Sequence, residues 1–246
     1  MAVVDPSVQV VLVSGCEAID AWAEPVAAHL MEWEQERMGR FAKSGDRARY
    51  AAAHLLVRWA LARRLGEPAL DLTLDQTERG KPFVTGPASA AGISFSLSHT
   101  RGLVGCASWS EAPVGLDLEA LTRRLKVVEL LDEVLSSDER EQWDSHGGPG
   151  LERFLEIWTL KEALSKALGV GLGVAPAKWS FDLGSSPIRR LRALPEEFGD
   201  PSHWQFEQTR SPSGHVVSLA IPNPAPDPVA VEWTRLEAPE LLAAMA

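Results

Sequence analysis

The chain has 246 residues, 45% of them hydrophobic, enough for one large or two small globular domains with a substantial core. A formal net charge of −10, with both halves acidic, argues against nucleic acid or an anionic membrane as the main partner, because either needs a surplus of Lys and Arg. Two cysteines, Cys16 and Cys106, are too few and too far apart for a disulfide framework or a metal-like pair, which predicts a reducing compartment.

In chain order, the opening "MAVVDPS" lacks a basic leader, and no apolar run is long enough to cross a bilayer, so a soluble cytoplasmic protein is expected. "VQVVLVSG" (8–15) reads as a strand, 18–41 as helical segments interrupted by Pro25, and "RARYAAAHLLVRWALARRLG" (47–66) as a helix stopped by Gly66. Eight basic residues fall between Arg37 and Arg64 against the single acid Asp46, which in an acidic protein points to a small anionic ligand. Strand-like runs follow at 70–74, 93–99, 103–109 and 114–119; Cys106 in "LVGCASW" reads as a small buried hydrophobe. A helical run over 121–143, the loop "DSHGGPG" (144–150) and a helix over 154–169 lead to strand candidates at 178–183, 203–208, 214–222 and 229–233.

The two halves align loosely, "HLLVRWALARRLG" with "IWTLKEALSKALG" and "ISFSLSHTRGLVGCASW" with "HWQFEQTRSPSGHVVSLAI". A repeat of this length predicts two similar α+β subdomains, 1–113 and 114–246, and a cleft between two such halves is a natural ligand site.

Alternation along "VGLDLE" (114–119) puts Gly115, Asp117 and Glu119 on one strand face, with the two acids about 7 Å apart at Cα. Such carboxylates are either solvated at a strand edge or hold a hard cation such as Mg²⁺, and Gly115 beside them lets a ligand approach the backbone. In "WTLKEALSK" (158–166), Glu162 and Lys166 share a helix face; they are either a solvated ion pair or a metal ligand and a phosphate partner, with Lys161 a second cation. "GKP" (80–82) places Lys81 and Pro82 in a turn, and "SLSHT" (96–100) brings Ser98 and His99 to a strand end, where both meet an anion readily.

In that order and at those separations, "GKP", "FSLSHT", "VGLDLE" and "WTLKEALSK" resemble the Sfp-type 4′-phosphopantetheinyl transferase family. The resemblance implies an α+β fold of two similar subdomains related by a pseudo-twofold, each a small mainly antiparallel sheet packed with helices, around a coenzyme A cleft. It implies a monomer that uses Mg²⁺ to transfer phosphopantetheine from coenzyme A to a serine of an apo acyl or peptidyl carrier protein, releasing 3′,5′-ADP; fatty acid, polyketide and nonribosomal peptide synthesis all use such carriers. By the resemblance Asp117, Glu119 and Glu162 are metal ligands, and Lys161 and Lys166 contact the pyrophosphate. Lys81, Pro82, Ser98 and His99 hold the nucleotide end, and Arg49 meets the 3′-phosphate. The family's Asn in "FNxSHS" is Ser96 here, its last Ser is Thr100, and "EWEQE" replaces basic residues upstream of Arg37. Arg37, Arg40 and Lys43 are therefore substitute 3′-phosphate contacts. Glu162 is the expected proton acceptor, directly or through water, and 122–135 the carrier-docking segment. A Mg²⁺-dependent phosphohydrolase and a non-catalytic coenzyme A-binding module are the rival readings; the absence of G-x-S-x-G around Ser96 or Ser98 disfavours a serine hydrolase.

Overall fold

The computed structural model describes residues 5–16, 29–78, 80–145, 148, 150–171 and 174–245. Strand β1 (Val8–Ser14) precedes helices α1 (Glu32–Gly39) and α2 (Ser44–Leu65), a hairpin of β2 (Thr73–Gln76) and β3 (Pro82–Gly86), and a second hairpin of β4 (Ser94–Thr100) and β5 (Leu103–Trp109). Next come β6 (Gly115–Ala120), the short helices α3 (Val127–Val134) and α4 (Ser137–Ser145), and the long helix α5 (Leu151–Leu168). Short strands β7 (Ser180–Phe181) and β8 (Leu191–Ala193) lead to a hairpin of β9 (Trp204–Ser211) and β10 (His215–Pro222), then to β11 (Val231–Glu237) and α6 (Ala238–Ala243). No helix among the described residues is long and apolar enough to cross a membrane.

The chain divides into two compact units, Met1–Ala112 with Ala230–Ala246, and Pro113–Val229. In the first unit the sheet order is β11-β1-β5-β4, with β1 and β11 parallel and the other pairs antiparallel. Helix α2 is buried over most of its circumference from Tyr50 to Ala62, and Leu55, Leu56 and Leu61 share one core with Val11, Val13, Phe95 and Val104 of the sheet. In the second unit α5 does the same on the antiparallel sheet β6-β10-β9, burying Phe154, Leu155, Leu160 and Leu164 with Phe206, Val216 and Ala220. Both long helices stop where expected, at Gly66 and Gly169, whose φ values of 69° and 71° are left-handed C-caps that cost glycine little. Each unit thus runs from a long helix to an antiparallel hairpin, β4–β5 or β9–β10, and these are the segments that align in the sequence.

Three expectations change. The last strand was assigned with 114–246, but Val231–Glu237 pairs along its length with β1, so residues 230–246 belong to the first unit. The helical run over 121–143 is two short helices with a break at Leu135–Ser136. The break has a local cause: the Ser136 hydroxyl accepts from the Glu139 N–H (3.2 Å) while the Glu139 carboxylate accepts from the Ser136 N–H (2.8 Å), a capping box that starts a new helix. The run 70–74 begins as a single 3₁₀ turn at Ala69–Asp71, and its strand starts at Thr73. Of the segment 18–41, residues 18–28 lie outside the described residues, as do residues 146, 147 and 149 of the loop 144–150.

Candidate active site

Strand β6 is not a solvated edge. Asp117 and Glu119 are only 7% and 9% exposed, because α5 covers the face they share with Gly115. A Cβ at Gly115 would lie 1.8 Å from the Ala163 carbonyl oxygen, so this glycine admits the backbone of α5, whereas the sequence left it open to a ligand. That close approach sets the helix directly over Asp117. Lys166 donates to Asp117 Oδ1 (2.7 Å) and to the Leu116 carbonyl (2.9 Å), tying helix to strand. Lys166 therefore pairs with the acid on the strand, so of the two alternatives the solvated pair with Glu162 gives way to a three-group cluster.

Glu162 is half-buried beside this pair. Burial first, and the Asp117 carboxylate second, raise its proton affinity above the ordinary carboxyl value, with Lys166 pulling the other way. Two carboxylates that repel across a partly dry space form a site for positive charge, as Lys166 already shows. The Glu119 carboxylate bonds Arg123, four residues further along the chain in the turn after β6. No group of three or more candidate ligand side chains gathers among the described residues. Mg²⁺ typically takes one or two carboxylates and completes its shell with water and substrate phosphate, so Asp117 and Glu162 fit that ion in donor type and number.

Lys161 is placed elsewhere. Its side chain is 1% exposed, and its ammonium donates to the carbonyls of Val134 (2.7 Å), Trp179 (2.9 Å) and Pro176 (3.0 Å) and to the Glu139 carboxylate. Burial lowers its proton affinity and Glu139 opposes that. With every N–H engaged inside the core, it has none left for a pyrophosphate, which corrects the expected role. Sequence reasoning missed its partner Glu139, although S-x-x-E at 136–139 is the signature of the capping box that holds it. The Glu139 carboxylate also accepts from the Phe181 N–H (2.8 Å), so one buried acid joins α4, α5 and β7.

The nucleotide residues lie in the first unit, where a pocket of about 210 Å³ is walled by Trp33, Phe41, Tyr50 and His54 and also lined by Arg37, Pro82 and His99. Lys81 closes the turn before β3, its N–H bonded to the Thr77 hydroxyl (3.1 Å), and Ser98 sits on β4 next to His99. Beneath the pocket, Glu34 accepts from both guanidinium nitrogens of Arg58 (2.9 and 2.6 Å) and meets His54 Nδ1 at 2.5 Å. Burial alone would raise the Glu34 carboxyl, but the hydrogen bonds from His54 and Arg58 outweigh it and hold the group below its ordinary value.

Half of the basic stretch is engaged inside the fold, while Arg37, Arg40, Lys43 and Arg63 are exposed. Arg58 pairs with Glu34, Arg64 clamps the carbonyls of Asp5 and Ser7, Arg47 bonds the Phe41 carbonyl (2.8 Å), and Arg49 pairs with Asp46 one turn away. Arg49 is not among the pocket's lining residues, whereas Arg37 is. Tyr50 and His54, like Trp33 and Arg37, are four residues apart on one helix; that spacing was the available signal for a shared wall.

Two family models match in tandem: "4′-phosphopantetheinyl transferase, N-terminal" over residues 19–111 and "4′-phosphopantetheinyl transferase superfamily" over 113–220. Among relatives, the chain is 29% identical over 247 aligned residues to a phosphopantetheinyl transferase of Thraustochytrium sp., covering 89% of this chain and 85% of that one. It is 26% identical over 205 residues to the human L-aminoadipate-semialdehyde dehydrogenase-phosphopantetheinyl transferase, covering 78% and 66%. With the 4′-phosphopantetheinyl transferase pptA of Paxillus involutus the identity is 32% over 167 residues, covering 61% and 63%. The matched spans contain the β6 carboxylates, the α5 cluster and the pocket residues alike, and this chain belongs to the 4′-phosphopantetheinyl transferase superfamily.

Proposed function

We propose that the chain moves the 4′-phosphopantetheine group of coenzyme A onto a serine of an apo carrier protein in a Mg²⁺-dependent reaction that releases 3′,5′-ADP. The observation that carries the reading is the cluster on β6 and α5, where burial and then the Asp117 carboxylate raise the cost of ionising Glu162 while the Lys166 ammonium pairs with Asp117. Asp117 and Glu162 are the carboxylates for the ion, and Glu119 joins them on exchanging Arg123 for it. When bound, Mg²⁺ neutralises charge on the pyrophosphate.

The remaining work belongs to the chain. Lys166 offers its ammonium to the diphosphate as negative charge shifts to the leaving side, where a preplaced cation is worth most. Glu162, whose surroundings favour the protonated form, takes the proton of the attacking serine hydroxyl. In the first unit, the pocket lined by Arg37, Pro82 and His99 takes the nucleotide end, flanked by Lys81 and Ser98. At about 210 Å³ it is below the ~300–1,000 Å³ of a site that encloses a whole drug-sized ligand, as suits one end of a longer molecule. Arg49 and Lys161 are left out, because their cationic groups are engaged by Asp46 and Glu139.

For the carrier, the reading retains residues 122–135. On α3, Val128 is 80% exposed, and Arg123, Arg124 and Lys126 beside it are exposed, a combination suited to an acidic partner with an apolar spot. Intact mass of an apo carrier protein incubated with the chain, coenzyme A and Mg²⁺ tests the reaction: a gain of one phosphopantetheine that is lost with chelator is expected. Breakdown of coenzyme A at the same rate without carrier would replace the transferase reading with a phosphohydrolase.

A further inference from the structure

The face of the second unit's sheet that α5 covers carries one wholly polar row. Strand pairing sets Gly115, Ala220 and Phe206 abreast on β6, β10 and β9, and in the next row of the same face Asp117, Ser218 and Gln208. A carboxylate, a hydroxyl and an amide therefore lie side by side beneath the helix. Ser218 and, on the helix above it, Thr159 are both 0% exposed, so their hydroxyls must find partners inside the fold.

They find them in one another. Gln208 Nε2 donates to Ser218 Oγ (3.0 Å) and to the Glu156 carbonyl (2.9 Å). Thr159 Oγ1 lies 2.7 Å from Ser218 Oγ and 2.8 Å from the Leu155 carbonyl, which takes its proton. A hydroxyl has one proton to give, so Ser218 donates to Thr159, and the chain of bonds runs one way from β9 through β10 into α5. Its place on the helix matters for the site. Thr159, Glu162 and Lys166 are spaced by three and four residues and share a helix face. Glu162 thus falls between two attachments of α5 to the sheet, Thr159 to Ser218 before it and Lys166 to Asp117 after it. Apolar packing by Leu160 and Leu164 holds the helix down without direction, and a single polar attachment would leave it free to pivot; two fix its rotation.

We propose that Thr159 and Ser218, with Gln208 behind them, are positioning residues: their chain of hydrogen bonds sets the rotation of α5 on β6 and so the place of the Glu162 carboxylate beside Asp117. They act through Glu162 and touch none of the reacting atoms. The inference rests on the transferase reading for the rate it affects.

Two substitutions at one position in the full chain separate this role from a structural one. Thr159→Val keeps the shape and removes the hydroxyl, whereas Thr159→Ser keeps the hydroxyl and removes a methyl group. Both should lower the melting temperature, one through a lost hydrogen bond and the other through a small cavity. Only Thr159→Val should lose rate: kcat for carrier modification should fall about tenfold, the loss typical of removing a group that orients a metal-site carboxylate, with KM for coenzyme A unchanged. Ser218→Ala should repeat that pattern. A second readout needs no turnover. Mn²⁺ titrated into the chain alone and followed by EPR should bind about tenfold more weakly in Thr159→Val and Ser218→Ala, and as in the wild type in Thr159→Ser. Wild-type kcat in Thr159→Val, a fall in Thr159→Ser as deep as in Thr159→Val, or Mn²⁺ binding that is absent or ignores the hydroxyl would overturn the inference. The underlying reading fails separately: a wild type that never modifies a carrier removes the transferase, and the Mn²⁺ affinities then decide the positioning role alone, while transfer at a rate indifferent to the hydroxyl keeps the transferase and removes that role.

Discussion

Three charged residues on one helix, Lys161, Glu162 and Lys166, meet three different fates because helical rotation points them at different surroundings. Lys161 turns into the core, where Glu139 neutralises it; removing one member of a buried pair strands the other. Lys161→Met should therefore destabilise the protein by about 3–5 kcal/mol in denaturant titrations. Lys166 is partly exposed, and its loss should cost about 1 kcal/mol or less of stability. Lys166→Ala should instead lower kcat/KM for coenzyme A by about a hundredfold, since it removes a cation from a site of charge transfer. An inactive Lys161 variant of normal stability, or an active Lys166 variant, would reverse this division. Glu162 carries a sign that can be checked by pH. Its proton affinity is raised in the folded state, so its contribution is fully favourable below the ordinary carboxyl range and is lost as pH rises through the raised value. Near neutral pH and without divalent cation, Glu162→Gln should melt at or above the wild type, with the difference closing in acid, and it should lose transfer activity. A variant that melts lower at every pH would make Glu162 a structural residue.

The decisive contact between elements is that of α5 with β6. Helix and strand touch backbone to backbone at Gly115, and this closeness lets a lysine side chain from α5 reach Asp117 and the Leu116 carbonyl together. Gly115→Ala places a methyl group against the Ala163 carbonyl, which no side-chain rotation relieves. A loss of about 3 kcal/mol or more is expected in unfolding experiments, together with lost transfer activity as the helix lifts from the carboxylates. Wild-type stability would show that the helix moves freely there. The sequence showed the glycine and the acids on one face by strict alternation, but alternation does not say what covers a face. The sequence offered water or a cation for that face, and neither alternative was the helix that covers it.

Each unit of the molecule is built around one long helix on an antiparallel sheet, and the chain leaves the first unit and returns to it. Strand β11 completes the first sheet beside β1, and Ala238 and Leu241 of α6 enter the same core. A chain ending at Val229 should consequently lose hydrogen-exchange protection in β1 and α2 while the amides of α5 and β10 keep theirs. Unchanged protection in β1 would show that β11 is a dispensable edge.

Local rules determined much of this protein from its sequence. The two long helices, their glycine stops, the paired hairpins and the acids of β6 were legible, because periodicity, capping and alternation act within a few residues. The family motifs were legible for the same reason, each being a short contiguous stretch. Whether a charge is spent inside the fold or left for a ligand was decided only by tertiary structure. Arg58, Arg64 and Lys161 look like an anion-binding surplus in the sequence, and each is consumed by a partner at least fifteen residues away in the chain. The return of β11 to β1 is equally invisible, because a strand carries its own alternation but not the identity of its neighbour. Desolvation and pairing depend on what is packed around a side chain, and long-range packing supplies those surroundings.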